Sequence, residues 1–356
     1  MSSLSSNVGV VSDTNVRETN EDRHIVMPVF RNNKSEALYG VLDGHGGTTS
    51  VEYVANAIPV NFTEALSICD SVKDAFVYCL KKTDYFLLKD KGNSGVGMCG
   101  CTVVLCFIKT YQNGGITKLF TANCGDSRAV VCRKGGKAQR LSYDHKSTDE
   151  NEIKRVKNMG GMIFRGRVEG ALAVSRSLGD HDFKKVVVCD PFYSEIDVLE
   201  GDSFLILACD GLWDVLSDQE AVDLVKDETS PQLMANKLLK TAIDKGSVDN
   251  ITIVVVLLAK SADSNVVPPV VVKKKKKTAR IIQDSSIGQA NSNLARLEEL
   301  EKNMKQLEKQ LPSPSNHQNN SIGSIFLKKE TNNPHTTTLN FEKKQMEALE
   351  EDLDSF

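Results

Sequence analysis

Lys118-Leu119-Phe120-Thr121-Ala122-Asn123-Cys124, then Gly125-Asp126-Ser127, then Arg128-Ala129-Val130-Val131-Cys132: two apolar runs of strand length stand on either side of three turn-forming residues. Read locally this is a hairpin, with Asp126 in its turn. The pattern recurs along the chain. Val8-Gly9-Val10-Val11-Ser12-Asp13 reads as a strand running into a polar turn, and residues 25–30 and 37–42 flank a polar loop at 31–36. Residues 101–108, 203–209 and 251–258 are further apolar, strand-like runs. Val51, Val54, Ala55 and Ile58 share one helical face that stops at Pro59, and helices are expected over 72–88, 150–159, 218–225 and 231–245. Strands thus outnumber helices and follow one another directly instead of alternating with them. That predicts an α+β fold with antiparallel sheets.

The 356 residues suffice for a sizeable core, and 40% hydrophobic with 26% charged content is ordinary for a globular protein. A net charge of −3 offers no general basic field, so nucleic acid is not an expected partner. No transmembrane segment is expected, because no apolar run reaches bilayer-spanning length. The start, Met1-Ser2-Ser3-Leu4, lacks signal-peptide character and carries Ser2 where N-myristoylation requires glycine. Nine cysteines, all between Cys69 and Cys209 and mostly inside apolar runs, suit reduced thiols in the cytoplasm or nucleus. Cys99 and Cys101 find no second pair at zinc-site spacing. Composition shifts near residue 260, which divides the chain into a folded domain over 1–260 and a tail over 261–356. The tail holds an unbroken lysine run at 273–277 and an apolar stripe of Leu297, Leu300, Met304, Leu307 and Leu311, too short for a coiled coil. Residues 312–340, rich in Ser, Asn, Thr and Pro, are expected to be disordered, and 347–354 is acidic.

Carboxylates recur where strands end. Asp43 follows one strand in Leu42-Asp43-Gly44-His45-Gly46-Gly47, Asp210 follows another, and Asp249 immediately precedes the last. Asp126 lies in the turn quoted above, and Glu21 and Asp22 flank an early strand. Gathered together, such groups repel one another unless a hard divalent cation binds between them. Cys and His are not arranged as soft ligands, which favours Mg²⁺ or Mn²⁺ over Zn²⁺.

The local spellings go further. Arg17-Glu18-Thr19-Asn20-Glu21-Asp22, Tyr39-Gly40-Val41-Leu42-Asp43-Gly44-His45-Gly46-Gly47, Asn123-Cys124-Gly125-Asp126-Ser127-Arg128, Leu172-Ala173-Val174-Ser175-Arg176-Ser177-Leu178-Gly179-Asp180, Cys209-Asp210-Gly211-Leu212-Trp213-Asp214 and Asp249-Asn250-Ile251-Thr252 occur in this order. This ordered set resembles the metal-dependent serine/threonine protein phosphatases of type 2C, the PPM family, from roughly residue 8 to 259. The resemblance implies a four-layer α-β-β-α sandwich with two central antiparallel sheets and a two-metal centre at one edge. It implies that Asp43 bridges two Mg²⁺ or Mn²⁺ ions, that the Gly44 carbonyl ligates one, and that Asp210 and Asp249 complete the other. Glu21 and Asp22 match positions that orient metal-bound waters. Asp126 and Asp214, with Asp210, match a third and weaker metal site found in some members. Arg17 matches the phosphate-binding arginine and His45 the proposed general acid.

Those roles suit the hydrolysis of a phosphoester. Two cations about 3.5–4 Å apart can deprotonate a bridging water and neutralise charge on the phosphoryl oxygens. Arginine grips phosphate through paired N–H donors. A serine or threonine alkoxide leaves poorly without a proton, which a histidinium can supply. The implied partners are phosphoprotein substrates; the catalytic domain is expected to be monomeric, with the tail available to bind a partner or to direct localisation through its lysines. Two other readings are a catalytically inactive scaffold on the same fold and a hydrolase of small phosphoesters. Retention of every metal-position match argues against the first, and the lack of a Walker-type glycine loop against the second. Trp213 is expected to pack the 210–214 turn. Arg165, Arg167 and Arg176 fall where the family carries a flap, either meeting substrate or standing in solvent; His24, His145 and His181 carry no pattern. The chain departs from the family at Cys101, Glu169, Ser147 and Asn20, where Ser, Asn, Pro and Met are common. None is a ligand position, although Glu169 bears on the flap.

Overall fold

The computed structural model describes residues 7–91, 96–111 and 115–258; the expectations for the 261–356 tail lie outside the described residues. Ten strands form two five-stranded antiparallel sheets. The first runs Val8–Asp13, Ile251–Leu257, Phe204–Ala208, Arg128–Arg133, Lys137–Arg140. The second runs Phe192–Asp197, Thr117–Cys124, Val103–Thr110, Glu36–Leu42, Arg23–Met27.

Strand alternation decides how these sheets stack. Ile251, Ile253 and Val255 turn to one core while Val254 and Val256 turn to another, and Phe204 and Ile206 divide from Leu205 and Leu207 in the same way. In the second sheet Leu38 and Leu42 face outward to helices, whereas Tyr39 and Val41 face the first sheet. Helices Thr49–Ile68 and Val72–Lys91 cover the second sheet through Ile58, Phe62, Phe76 and Leu80. Helices Asp218–Val225 and Pro231–Asp244 cover the first through Val222, Met234 and Leu238. Three apolar interlayers therefore separate four layers, which is the expected α-β-β-α sandwich. Each fully buried Leu, Ile or Phe contributes about 1.5–3 kcal/mol, so this doubly buried sheet pair dominates the stability. The helix-side core holds an aromatic cluster in which the Phe62 and Phe76 rings stack at 4.4 Å.

Two local expectations fail for tertiary reasons. Pro59 does not end its helix, which continues to Ile68 with the proline inside. Phe62 and Ala65 lie fully buried beyond it on the face begun by Val51 and Val54, and their burial outweighs the roughly 3 kcal/mol an internal proline costs. The Gly125-Asp126-Ser127 turn joins no hairpin: Thr117–Cys124 belongs to the second sheet and Arg128–Arg133 to the first. Each run is central in its own sheet and buried on both faces, so the turn carries the chain across the sandwich edge. Strands Phe192–Asp197 and Lys137–Arg140 carry no strand signal in the sequence because both are edge strands with mostly polar or half-exposed residues.

The flap branches from the segment after the Glu150–Asn158 helix. Ile163–Phe164 pairs with Arg167–Val168 over a small core of Val156, Val168, Val186 and Val187. Ser147, standing where proline is common, donates its N–H to the Ala173 carbonyl at 2.8 Å and its hydroxyl to the Gly166 carbonyl, tying down both sides of the flap root. A proline offers neither donor. Glu169 has a φ of +51°, a backbone region that asparagine tolerates better, and its carboxylate accepts the Met162 N–H at 3.0 Å.

Candidate metal centre and cleft

Strand ends from both sheets meet at one edge of the sandwich. Asp43 follows Glu36–Leu42 and Asp22 precedes Arg23–Met27 in the second sheet; Asp210 follows Phe204–Ala208 and Asp249 precedes Ile251–Leu257 in the first. Asp126 sits on the crossing between them. One carboxylate oxygen from each of Asp43, Asp126 and Asp210 lies within 4.8 Å of the others, the one such acidic group among the described residues. A cleft of about 660 Å³ opens over them, large enough for a phosphorylated side chain, and is lined also by Arg17, Glu21, Gly44, His45 and Asp249. Asp22 lies beneath the cleft, buried, its Oδ2 accepting the Cys209 thiol at 3.3 Å. A second depression, along Thr49, Glu52, Asn56 and Ala57, holds no comparable cluster.

The cluster is electrostatically uncomfortable by itself. Burial first, and then neighbouring carboxylates led by Asp210, push Asp43 well above the ordinary carboxylate range. Burial and Asp210 do the same to Asp126. Asp22 is raised to about 6 by burial, and Asp210 to about 6 by burial with Asp214 and Asp249 adding to it. The Oδ1 atoms of Asp22 and Asp126 are buried with no hydrogen-bond partner among the described residues. Natural interiors rarely leave such atoms unsatisfied. Closely set oxygens, unmet acceptors and mutual repulsion are the features a hard divalent cation resolves, so the residues present fit one.

The surroundings hold these groups in place. Asn250 accepts the Glu21 N–H at 2.9 Å and donates to the Thr14 and Thr19 carbonyls, each at 3.0 Å, which pins the 14–21 loop carrying Arg17 and Glu21. A Cβ on Gly44 would stand 2.4 Å from the Glu21 carbonyl oxygen, so only glycine permits this approach. Trp213 donates its indole N–H to the Ala208 carbonyl at 3.0 Å with the Arg128 guanidinium over its ring, fixing the 210–214 turn as expected. His145, which carried no pattern, is buried against the Asp126 turn: its backbone N–H donates to the Gly125 carbonyl at 3.0 Å and its Nδ1 meets the same residue. Burial lowers its pKa to about 4, so it is a neutral brace. The one sequence signal was the titratable run Asp144-His145-Lys146 between a strand and a helix.

The other candidates differ in how they meet the cleft. Asp214 does not line the cleft; its Oδ1 pairs with Lys146 Nζ at 2.6 Å. Arg17 Nη2 pairs with Asp249 Oδ2 at 2.8 Å. Arg167 lines the cleft from the flap, while Arg165 lies over the Phe164 ring. Arg176 is neither a substrate contact nor solvated, for it forks onto the buried Glu152 through Nε at 3.0 Å and Nη2 at 2.6 Å. His45 turns its Nε2 to Asp180, with Oδ2 at 2.8 Å. In the sequence Asp180 is marked only by its place at the end of the 172–180 motif.

Comparison with known proteins agrees with this architecture. Residues 6–251 match the family model for protein phosphatase 2C. Protein phosphatase 2C homolog 1 of Schizosaccharomyces pombe is 40% identical over 256 residues, 69% of this chain and 72% of that one. Its namesake in Saccharomyces cerevisiae is 36% identical over 262 residues, 70% of this chain and 92% of that one. The structure of a C. elegans sex determining protein superposes with a TM-score of 0.63 at 26% identity, covering 71% of this chain and 64% of that one. Serine-threonine phosphatase 2C from Toxoplasma gondii, at 22% identity, shares the fold with a TM-score of 0.60 over 71% of this chain and 94% of that one. With acids from both sheets meeting at the sandwich edge where that family is metal dependent, the chain belongs to the protein phosphatase 2C family of serine/threonine protein phosphatases.

Proposed function

We propose that the cleft removes phosphate from phosphoserine and phosphothreonine in proteins with the help of two Mg²⁺ or Mn²⁺ ions. The observation that carries this reading is the convergence of Asp43, Asp126 and Asp210 within 4.8 Å, with the Asp126 Oδ1 left unsatisfied. Asp43, the Gly44 carbonyl, Asp210 and Asp249 would hold the two ions, with Glu21 and Asp22 orienting their waters. Asp126 and Asp214 with Asp210 offer a third, weaker position, for which Asp214 has to leave Lys146. When bound, the cations supply an acidified water as nucleophile and neutralise charge on the phosphoryl oxygens. Arg17, half-exposed at the cleft rim, turns from Asp249 to two phosphoryl oxygens. His45 protonates the departing serine or threonine oxygen.

Phosphate release from a phosphothreonine peptide, followed with Mn²⁺, with EDTA and with Asp210→Ala, tests the reading. Release confined to the wild-type protein with Mn²⁺ is expected; equal rates in all three arms would end it. All nine cysteines are free thiols, which supports placing the enzyme in a reducing compartment, the cytoplasm or nucleus. A fluorescent fusion with and without residues 273–277 tests whether the lysine run decides between them.

A further inference from the structure

His45 is held from behind by a construction that uses none of the clustered Asp43, Asp126 and Asp210 carboxylates. Gly44–His45, Gly100–Cys101 and Leu178–Gly179 form a small three-stranded ladder in which His45 pairs with Gly100 and Gly100 with Gly179. Asp180, one residue beyond that row, reaches back across Gly100 to His45, with Oδ1 2.9 Å and Oδ2 2.8 Å from Nε2. The crossing depends on Gly100, where a Cβ would stand 2.2 Å from Asp180 Oδ2. Asp180 itself is fully buried and takes a φ of +50°, which few non-glycine residues adopt. Its N–H donates to the Cys99 carbonyl at 3.0 Å, and its carboxylate accepts the Ser177 hydroxyl. A second tier fixes the backbone: Asp84, on the Val72–Lys91 helix, accepts the Gly179 N–H at 2.7 Å and pairs with Lys184 at 3.0 Å.

We propose that Asp180 is the positioning residue for His45. A buried carboxylate can only accept, so Nε2 carries hydrogen and Nδ1 is the nitrogen that exchanges a proton. Among the described residues no group hydrogen-bonds Nδ1, and His45 lines the cleft. The inference rests on the acid role proposed for His45. The water gives up one proton to solvent, its oxygen bonds to phosphorus, and the phosphorus–oxygen ester bond breaks with its electron pair staying on the leaving oxygen. That oxygen takes the Nδ1 proton of the imidazolium, which becomes neutral imidazole with Nε2–H still on Asp180. Solvent restores the proton. No proton needs to reach the carboxylate, whose work is orientation and charge.

The test compares a phosphothreonine peptide with p-nitrophenyl phosphate, whose leaving group needs no proton, in the Mn²⁺-loaded full chain. Asp180→Asn is expected to lower kcat on the peptide by about 10²-fold with KM unchanged, and on the aryl phosphate by under about threefold. In the Mg²⁺-loaded protein with ¹⁵N-labelled histidine, assigned by His45→Gln, the His45 ring should shift from the Nε2–H to the Nδ1–H form on the same substitution. Equal losses on both substrates, or no loss on either while His45→Gln keeps its selective loss, would overturn the proposal. If His45→Gln itself shows no preference between substrates, the acid role falls, and an unchanged tautomer spectrum then overturns the positioning role as well. Should Asp180→Asn not fold, Ser177→Ala removes one hydrogen bond from the same carboxylate and should give a loss of about three- to tenfold on the peptide alone. Its absence would count against Asp180 equally.

Discussion

Arg17 Nη2 lies 2.8 Å from Asp249 Oδ2, while its Nε donates to the Val248 carbonyl at 3.1 Å. The guanidinium is thus stored at the rim of the cleft on a carboxylate proposed to bind metal, and both side chains are at least a third exposed. An exposed pair of this kind stabilises the fold by less than about 1 kcal/mol, so little opposes its transfer to a phosphate. Arg17→Ala should raise KM for a phosphothreonine peptide by about 10- to 100-fold, the worth of a charge-assisted bidentate contact. Arg17→Lys should recover only part of that, since an ammonium cannot fork onto two oxygens. Steady-state kinetics decide the matter, and an unchanged KM in Arg17→Ala would remove the arginine from phosphate binding.

Asp43 sits among Asp210, Asp22, Asp126 and Asp249. Asp43→Asn removes one charge from this repelling set, so in EDTA the variant should melt at a higher temperature than the wild type. With Mn²⁺ the order should reverse, because ligand binding stabilises only the protein that can hold the ion. At about 2–4 °C per kcal/mol for a domain of this size, scanning calorimetry resolves both differences. A metal-induced rise of equal size in the two proteins would show that Asp43 does not ligate.

The same carboxylates give a pH dependence. Burial raises Asp22 and Asp210 to about 6 in the fold, against 3.8 for the carboxyl in the unfolded chain. Their neutral forms are therefore favoured by folding, and the stability they contribute is present below pH 3.8 and lost as pH rises through 6. His145, at about 4, and His24, also lowered by burial, act in the opposite sense over an overlapping range. The difference in melting temperature between Mn²⁺ and EDTA cancels the histidines. It should grow between pH 5 and pH 7.5, as protons cease to compete for the carboxylates. A difference independent of pH would contradict this.

Glu152, buried at 3% exposure, accepts Arg176, Arg155 and the Ser175 hydroxyl. Burial alone would raise its carboxyl, but Arg176, Ser175 and Arg155 outweigh that and hold it at about 2. Glu152→Ala leaves two arginines with backbone carbonyl acceptors but no carboxylate and should destabilise the domain by about 3 kcal/mol, seen as a fall of about 6–12 °C in melting temperature. Because its pKa is depressed, the stability Glu152 contributes is present above pH 4.5 and lost as pH falls through 2.

Much of this protein is written locally. The nearly unbroken apolar runs 251–258 and 37–42 specify strands buried on two faces, and the helical faces of Val51, Val54 and Ile58 and of residues 231–245 specify what covers the sheets. The acids at strand ends and the ordered spellings around them were equally plain, because residue type and spacing survive in one dimension. What the chain order could not settle is where separately written pieces meet. The turn at Gly125-Asp126-Ser127 looks like a hairpin until each flanking run finds its partners in a different sheet. Pro59 looks like a helix end until Phe62 and Ala65 are seen buried beyond it. His145, Asn250 and Asp180 act through contacts 20, 229 and 135 residues distant in sequence. The sequence alone thus determined the buried strands, the existence of the covering helices and the list of chemically able side chains. Only the tertiary structure decided that Asp126 sits where the chain crosses between the sheets and that Asp180 stands behind His45, because burial and hydrogen bonding are settled between segments and not within them.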